Sequence, residues 1–339
     1  MLTALRERAL AAATLPPARP RIRLAIDAHV VGSIEPDDAS LLAQRVPGLV
    51  LDARGLSLAA NHATDVDARL AAMAQALADA GRLGKWRDEA LPVLADDMEP
   101  VNESDAPERC ARVVPIEAQS AAMSGDMASI CNEERGCPGV TSGRGRFVHR
   151  FMMLGAIERA AIRVLGLRSV AVHLVGWCPD GRMWVQRRAL DKPVDPGLLD
   201  TLAGGLVGLE HEPGGRRMED LVEAMRREAD EEAGIDTGLT MSRFGDAPLR
   251  IARPVHEGYM VEDLVGFEAT IDAGFSPFNR DGEVAGFDRL DADALLGRIG
   301  RGEFTLEASL LILECLRRDA RAGCCASGGA PRTPPAGRG

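Results

Sequence analysis

Residues 64–83 place apolar side chains at Val66, Leu70, Met73, Ala74, Leu77 and Leu83, a recurrence that predicts a helix with one buried face. Before it, alternation over residues 21–31 predicts a strand, Glu35, Pro36, Asp37 and Asp38 mark an acidic helix start, and residues 50–58 predict a hairpin. A strand follows at residues 90–95, with Trp86 ahead of it as a packing anchor. Together these elements predict a small α+β domain over residues 21–101. The second half predicts a helix at 151–165, then a strand at 169–178. Pro179, Asp180, Gly181 and Arg182 then turn the chain into a return strand at 183–188. Further strands are expected at 249–254, 265–271 and 286–290. Leu295, Leu296, Ile299, Phe304, Ala308, Leu311 and Leu316 give helices over 291–318 an apolar face.

Three stretches lack such a period. Residues 102–148 are rich in Ser, Gly, Ala, Glu and Pro and are expected to be a flexible insertion. Residues 1–20, with Glu7, Pro16, Pro17 and Pro20, read as a flexible leader, and residues 319–339 as a disordered tail. The second domain then occupies residues 149–318, and a length of 339 residues suits two domains.

Composition narrows the function classes. With 46% hydrophobic residues the chain can fill substantial cores, yet its apolar runs are too short to cross a bilayer. The first 20 residues lack a signal peptide's apolar stretch and cleavage site, so a cytoplasmic location is expected. A net charge of -11 argues against a nucleic-acid surface, although a bound metal can still invert the local sign for an anionic substrate. The seven cysteines are scattered, and Cys131 and Cys137 lack a second pair at zinc spacing, so reduced thiols are expected.

The densest charge lies at Arg227-Glu228-Ala229-Asp230-Glu231-Glu232-Ala233-Gly234-Ile235. On a helix, Glu228, Glu231 and Glu232 stand at i, i+3 and i+4, and Arg227 lies four before Glu231. Like charges so crowded repel, and an oxygen-ligated divalent cation would relieve them; an ordinary solvated acidic helix is the other reading. Gly234 is placed to end that helix. Glu219 lies eight residues before Arg227. The whole resembles the Nudix box, Gly-x5-Glu-x7-Arg-Glu-U-x-Glu-Glu-x-Gly-U with U aliphatic, through Glu219, Arg227, Glu228, Glu231, Glu232, Gly234 and Ile235. Ala229 is a small stand-in for the larger residue usual at its position. The front of the pattern departs: Pro213 stands where the box has glycine, and the pair Gly204-Gly205 comes several residues early. Residues 211–215 read as a turn inserted between that pair and the helix.

The resemblance implies a Nudix α/β/α sandwich built on a mixed sheet. It implies Mg2+, with Mn2+ as the alternative, held by Glu228, Glu231 and Glu232. Arg227 would orient a glutamate by a salt bridge, and Glu219 would close the loop onto the helix. Arg187, Arg188 and Lys192 precede the active-site loop in such proteins and are candidates to grip substrate phosphates, against solvated charges on an edge strand. Gly204 and Gly205 would let backbone approach a phosphate. Glu283, in Pro277-Phe278-Asn279-Arg280-Asp281-Gly282-Glu283-Val284, is a candidate further ligand or base, against an ordinary turn acid.

The first half also resembles the domain of unknown function that precedes the Nudix domain in proteins related to thiamine pyrophosphokinase. The likeness rests on residues 26–36, Trp86-Arg87-Asp88-Glu89 and Ile157-Glu158-Arg159-Ala160-Ala161 through Val172-His173-Leu174. The implied reaction is hydrolysis of a small-molecule diphosphate, with thiamine diphosphate or its oxidised forms as the indicated substrate and a homodimer as the common assembly. Two alternatives stay open: an isopentenyl-diphosphate isomerase on the same fold, and a non-catalytic module binding a nucleotide or thiamine compound.

Overall fold

The computed structural model describes residues 1–59, 63–95, 151–192, 194–212, 215–236 and 238–326. The expected insertion at 102–148, Cys131, Cys137 and Pro213 lie outside the described residues.

The leader expected to be flexible is in fact helix α1 (Leu2–Ala13), docked through Leu5, Ala9 and Ala13. Those apolar side chains find their cover in C-terminal elements remote in sequence, a pairing that local composition does not announce. The strand expected over 21–31 is two strands, β1 (Ile22–Ile26) and β2 (His29–Ile34). Asp27 turns between them at φ 51°, in the left-handed region that Asp tolerates better than most residues. Helix α2 (Pro36–Arg45), the hairpin β3 (Leu49–Asp52) and β4 (Gly55–Leu58), and helix α3 (Ala63–Asp79) follow as expected. The sheet order is β2-β1-β4-β3.

The helix expected at 151–165 is instead strand β6 (Met153–Glu158), paired antiparallel with β5 (Ala90–Leu94), followed by a short 3-10 turn at Arg159–Ala161. The physical reason is tertiary. Leu91 and Ile157, opposite each other, are both buried, and that strand pairing overrides the local period. Ile157, Ile162, Leu165 and Leu167 belong to the first core, so that core reaches past residue 149. Glu158 accepts hydrogen bonds from the Ala160 and Arg87 amides (3.2 and 2.8 Å), and Arg159 pairs with Glu89 (2.7 Å). Trp86 is exposed rather than a buried anchor, its Nε1 donating to Asp88 at 2.8 Å.

A mixed sheet forms the second body: β7 (Arg168–Trp177), β8 (Met183–Arg188), β9 (Leu199–Asp200), β10 (Ala203–Leu206), a separate hairpin β11 (Leu209–Glu212) and β12 (Gly215–Met218), helix α4 (Leu221–Ala233), then β13 (Ser242–Val255), β14 (Gly258–Thr270) and β15 (Val284–Leu290). The order is β13-β14-β7-β8-β15, with β10 pairing β7 and β9 pairing β8, and β14 running parallel to β7. Nearly all of β7 is buried because both faces are covered. Val170, Val172 and Leu174 share a core with Ala224, Met225 and Ala229 of α4. Ala171 and Val175 share one with α1, α5 (Ala292–Gly300) and α6 (Leu306–Ala326). Helix α6 extends to Ala326, beyond the end expected at 318. Among the described residues no helix is long and apolar enough to cross a membrane.

Candidate active site

Helix α4 is fixed at both ends. Asp220 caps its start by accepting from the Val222 and Glu223 amides (2.8 and 3.3 Å). Gly234 ends it in the left-handed conformation at φ 65°, and a Cβ there would meet the Phe278 ring at 2.4 Å. The loop bearing Phe278 is laid against that end, with the Phe278 amide donating to the Ala233 carbonyl (3.1 Å) and the Arg280 amide to that of Glu231 (2.9 Å). The pinned loop carries Asp281 and Glu283. Asn279 shapes its turn by accepting from the Asp281 and Gly282 amides at 3.2 and 3.0 Å.

Arg227 organises one half of the site. It holds Glu219 through two hydrogen bonds (3.0 and 2.9 Å) and also contacts Glu228 (2.7 Å), Glu231 (3.4 Å) and the Leu206 carbonyl (3.2 Å). Glu219 accepts in turn from the Gly208 amide at 3.2 Å, and the Glu219 amide donates to the Gly208 carbonyl at 3.0 Å. The β11–β12 hairpin therefore begins and ends at one point. The residues that separate the glycine pair from Glu219 in sequence leave the two close in space.

Glu232 organises the other half. It is 1% exposed and accepts from Gln186 Nε2 (2.8 Å) and the Gly204 amide (2.9 Å). Burial, followed by the charge of Glu228, pushes its carboxyl up to about 8. Burial likewise raises Glu228, against the pull of Arg227. Lys192 reaches between Glu232 (3.9 Å) and Glu283, with which it forms an ion pair, and burial lowers its own pKa. Glu232, Asp281 and Glu283 each offer a carboxylate oxygen, and these lie within 4.8 Å of one another.

The three glutamates expected on one face thus divide. Glu228 and Glu231 meet at Arg227, while Glu232 turns toward Gln186, Gly204 and the facing loop. Asp281 and Gln186 were missed by sequence reasoning. Asp281 was legible, two residues before Glu283 in the quoted phrase, whereas nothing in a strand sequence marks Gln186. Arg187 is exposed and donates to the Gly197 carbonyl (2.9 Å). Arg188 is engaged with Asp200 (3.1 Å) and the Val194 carbonyl, which fixes the β8–β9 connection. Of the three cations considered for phosphate contact, Lys192 alone lies against the carboxylates.

The donor set suits a hard divalent cation. Glu232 is buried beside the carboxylate of Glu228, and Gln186 Oε1 is a buried acceptor with no hydrogen-bond partner among the described residues. The glycine pair completes the floor. A Cβ on Gly205 would fall 2.2 Å from the Glu228 carboxylate, and one on Gly204 2.5 Å from His173 Nδ1. Gly205→Ala is expected to displace the Glu228 carboxylate, a shift that a crystal structure of the variant would show.

No family model matches the chain. Among curated proteins it is similar to Nudix hydrolase 24, chloroplastic, of Arabidopsis thaliana, 30% identical over 48% of this chain and 44% of that protein. Nudix hydrolase 20, chloroplastic, of the same plant is 28% identical over 48% of this chain and 42% of its own length. An uncharacterized Nudix hydrolase of Pseudomonas aeruginosa, PA4841, is 27% identical over 37% of this chain and 80% of its own. The chain spans less than half the length of the two plant relatives. Solved structures it resembles include DR0079 from Deinococcus radiodurans, 24% identical, covering 44% of this chain and 82% of that one with a TM-score of 0.33. A C. elegans Ap4A hydrolase is 18% identical, covering 46% of this chain and 98% of that one with a TM-score of 0.32. The curated proteins it is similar to are Nudix hydrolases, the two plant ones matched over about half of this chain.

Proposed function

We propose, from this kinship with Nudix hydrolases, that the chain is a divalent-cation-dependent pyrophosphohydrolase that splits a diphosphate linked to an organic group. The observation that carries the reading is the convergence of Glu232, Asp281 and Glu283 within 4.8 Å, beside the Arg227-ordered pair Glu228 and Glu231. Glu228, Glu231 and Glu232 would hold Mg2+ or Mn2+, with Asp281 and Glu283 facing them. Bound there, the cation would neutralise phosphate oxygens and acidify water.

The chain's own groups do the rest. Arg227 keeps the Glu228 and Glu231 carboxylates oriented, so little reorganisation accompanies the reaction. Lys192 is placed to leave Glu283 and meet a phosphate oxygen as a point charge. Glu231 and Glu283 reach solvent about half-exposed, so either can take a proton from attacking water. Comparing Glu231→Gln with Glu283→Gln separates them. The variant that removes the base loses about 10²- to 10⁴-fold in kcat and the basic dependence of kcat on pH, while the other mainly weakens cation binding.

Thiamine diphosphate or its oxidised forms, cleaved to the monophosphate and phosphate, are the proposed substrates. The support is the N-terminal resemblance, whose Trp86-to-Glu89 and Glu158-Arg159 phrases meet in space through Glu158 and Glu89. The isomerase alternative calls for an acidic thiol, and Cys178 is buried with its thiol pushed up by that burial. The test is monophosphate and phosphate release from a panel of organic diphosphates with and without Mg2+. Cation-dependent release is expected; a panel with no turnover, or dimethylallyl diphosphate formed without phosphate, sinks the reading.

A further inference from the structure

A cleft of about 90 Å³ lies between the first core and the mixed sheet, lined by Lys85, Arg87, Ser169, Val194, Leu206 and Glu262 among others. Strand register sets its position. Ser169 lies beside Glu262 across parallel β7 and β14, so both side chains leave the same sheet face. Two residues along each strand, Ala171 and Leu264 pack with α1 and α6, whereas Val170 and Val265 pack with α4. Glu262 therefore faces away from α4. Leu206, opposite Ala171 on β10, faces with it. Leu206 directly follows Gly205, and its carbonyl accepts from Arg227, so the cleft adjoins the carboxylate site.

The lining selects a ligand type. Glu262 is 7% exposed, and among the described residues it accepts one hydrogen bond, from Ser169 Oγ at 3.2 Å. A buried carboxyl normally makes more, and burial raises its pKa. Arg159 and Arg163, also at the cleft, are already paired with Glu89 (2.7 Å) and Glu257 (3.3 Å). Lys85 and Arg87, the other cations of the lining, are exposed and solvated, so an anion gains little above a buried acid. A nitrogen-bearing ring gains an acceptor at Glu262 and apolar contact with Val194, Leu206 and Leu91.

We propose that this cleft receives the organic half of the substrate, and that Ser169 and Glu262 read an amino-bearing heteroaromatic ring by its N–H groups. The assignment rests on the hydrolase reading of the adjoining carboxylates. Aminopyrimidine and adenine rings share this chemistry, and paired probes distinguish them. Calorimetry would compare thiamine monophosphate with oxythiamine monophosphate, and AMP with IMP, on the wild-type chain without metal. At least one amino-bearing member is expected to bind roughly 10- to 100-fold tighter than its amino-free partner. Glu262→Gln and Ser169→Ala should both shrink that ratio, while circular dichroism reports an intact fold. A ratio near one in the wild-type chain overturns the proposal, as does a ratio that neither variant changes. Selective binding without hydrolysis of any diphosphate would overturn the hydrolase reading, and with it the cleft as a substrate site, while leaving Ser169 and Glu262 as the pair that reads the ring.

Discussion

Glu232→Gln is expected to abolish nearly all turnover, by about 10²- to 10⁴-fold in kcat at saturating Mg2+, while leaving the fold intact. The side chain is buried among donors, Gln186 Nε2 and the Gly204 amide, and flanked by Lys192 and Glu228. An amide of the same shape keeps the packing and removes the charge that a cation needs. Stability should move the other way. Burial raises the Glu232 carboxyl to about 8 from an unfolded value near 4.5. The metal-free protein therefore loses stability as pH rises from about 4.5 through 8, because folding disfavours the ionised form. Glu232→Gln lacks that titration, so its unfolding midpoint should fall less over the same range. Phosphate-release assays with thermal unfolding between pH 5 and 8.5 check both halves. Retained turnover, or a pH-stability slope equal to that of the wild type, would remove Glu232 from the site.

How much of this was legible depended on whether the signal was local. The α4 motif was readable because its acids and terminal glycine all act within one helix, and Gly234 is left-handed as a helix end requires. The hairpin β11–β12 obscured the motif's front in sequence, yet Glu219 and Gly208 meet through two hydrogen bonds, so spacing misjudged a loop that space closes. The division of the glutamates was not legible. Spacing puts Glu228, Glu231 and Glu232 on one helix face, but partners on β8, β10 and the Phe278 loop decide where each carboxylate turns. Helix α1 and strand β6 failed as expectations for a related reason, since each is stabilised by a partner far along the chain. Arg188 was a candidate phosphate ligand through the resemblance, which places it ahead of the active-site loop. Asp200 and the Val194 carbonyl claim it for the scaffold.

Asp263→Ala is expected to cost about 3–5 kcal/mol of stability, the largest effect outside the carboxylate site. Asp263 is 3% exposed on β14, where it accepts from Arg168 Nε and Arg250 Nε, each at 2.8 Å. Arg168 is equally buried at the start of β7, and it also donates to the Ala95 carbonyl (3.0 Å) and lies over the Phe151 ring. Removing the carboxylate takes the Nε acceptor from Arg168, a guanidinium that cannot lose its proton, in a place water does not reach. The damage should exceed that of a cavity of the same size, because the penalty is a buried charge rather than lost contacts. Asp263→Asn retains an acceptor and should fall between the two, and Arg168→Met combined with Asp263→Leu should recover much of the loss by removing both charges. Denaturant midpoints of the three variants order the mechanism. If the alanine variant costs under about 1 kcal/mol, or the double variant is worse than the single, the pair does not hold β7 to β14 as described. The consequence for function is positional, since β7 pairs with β10 and so carries Gly204 and Gly205 to Glu232 and Glu228.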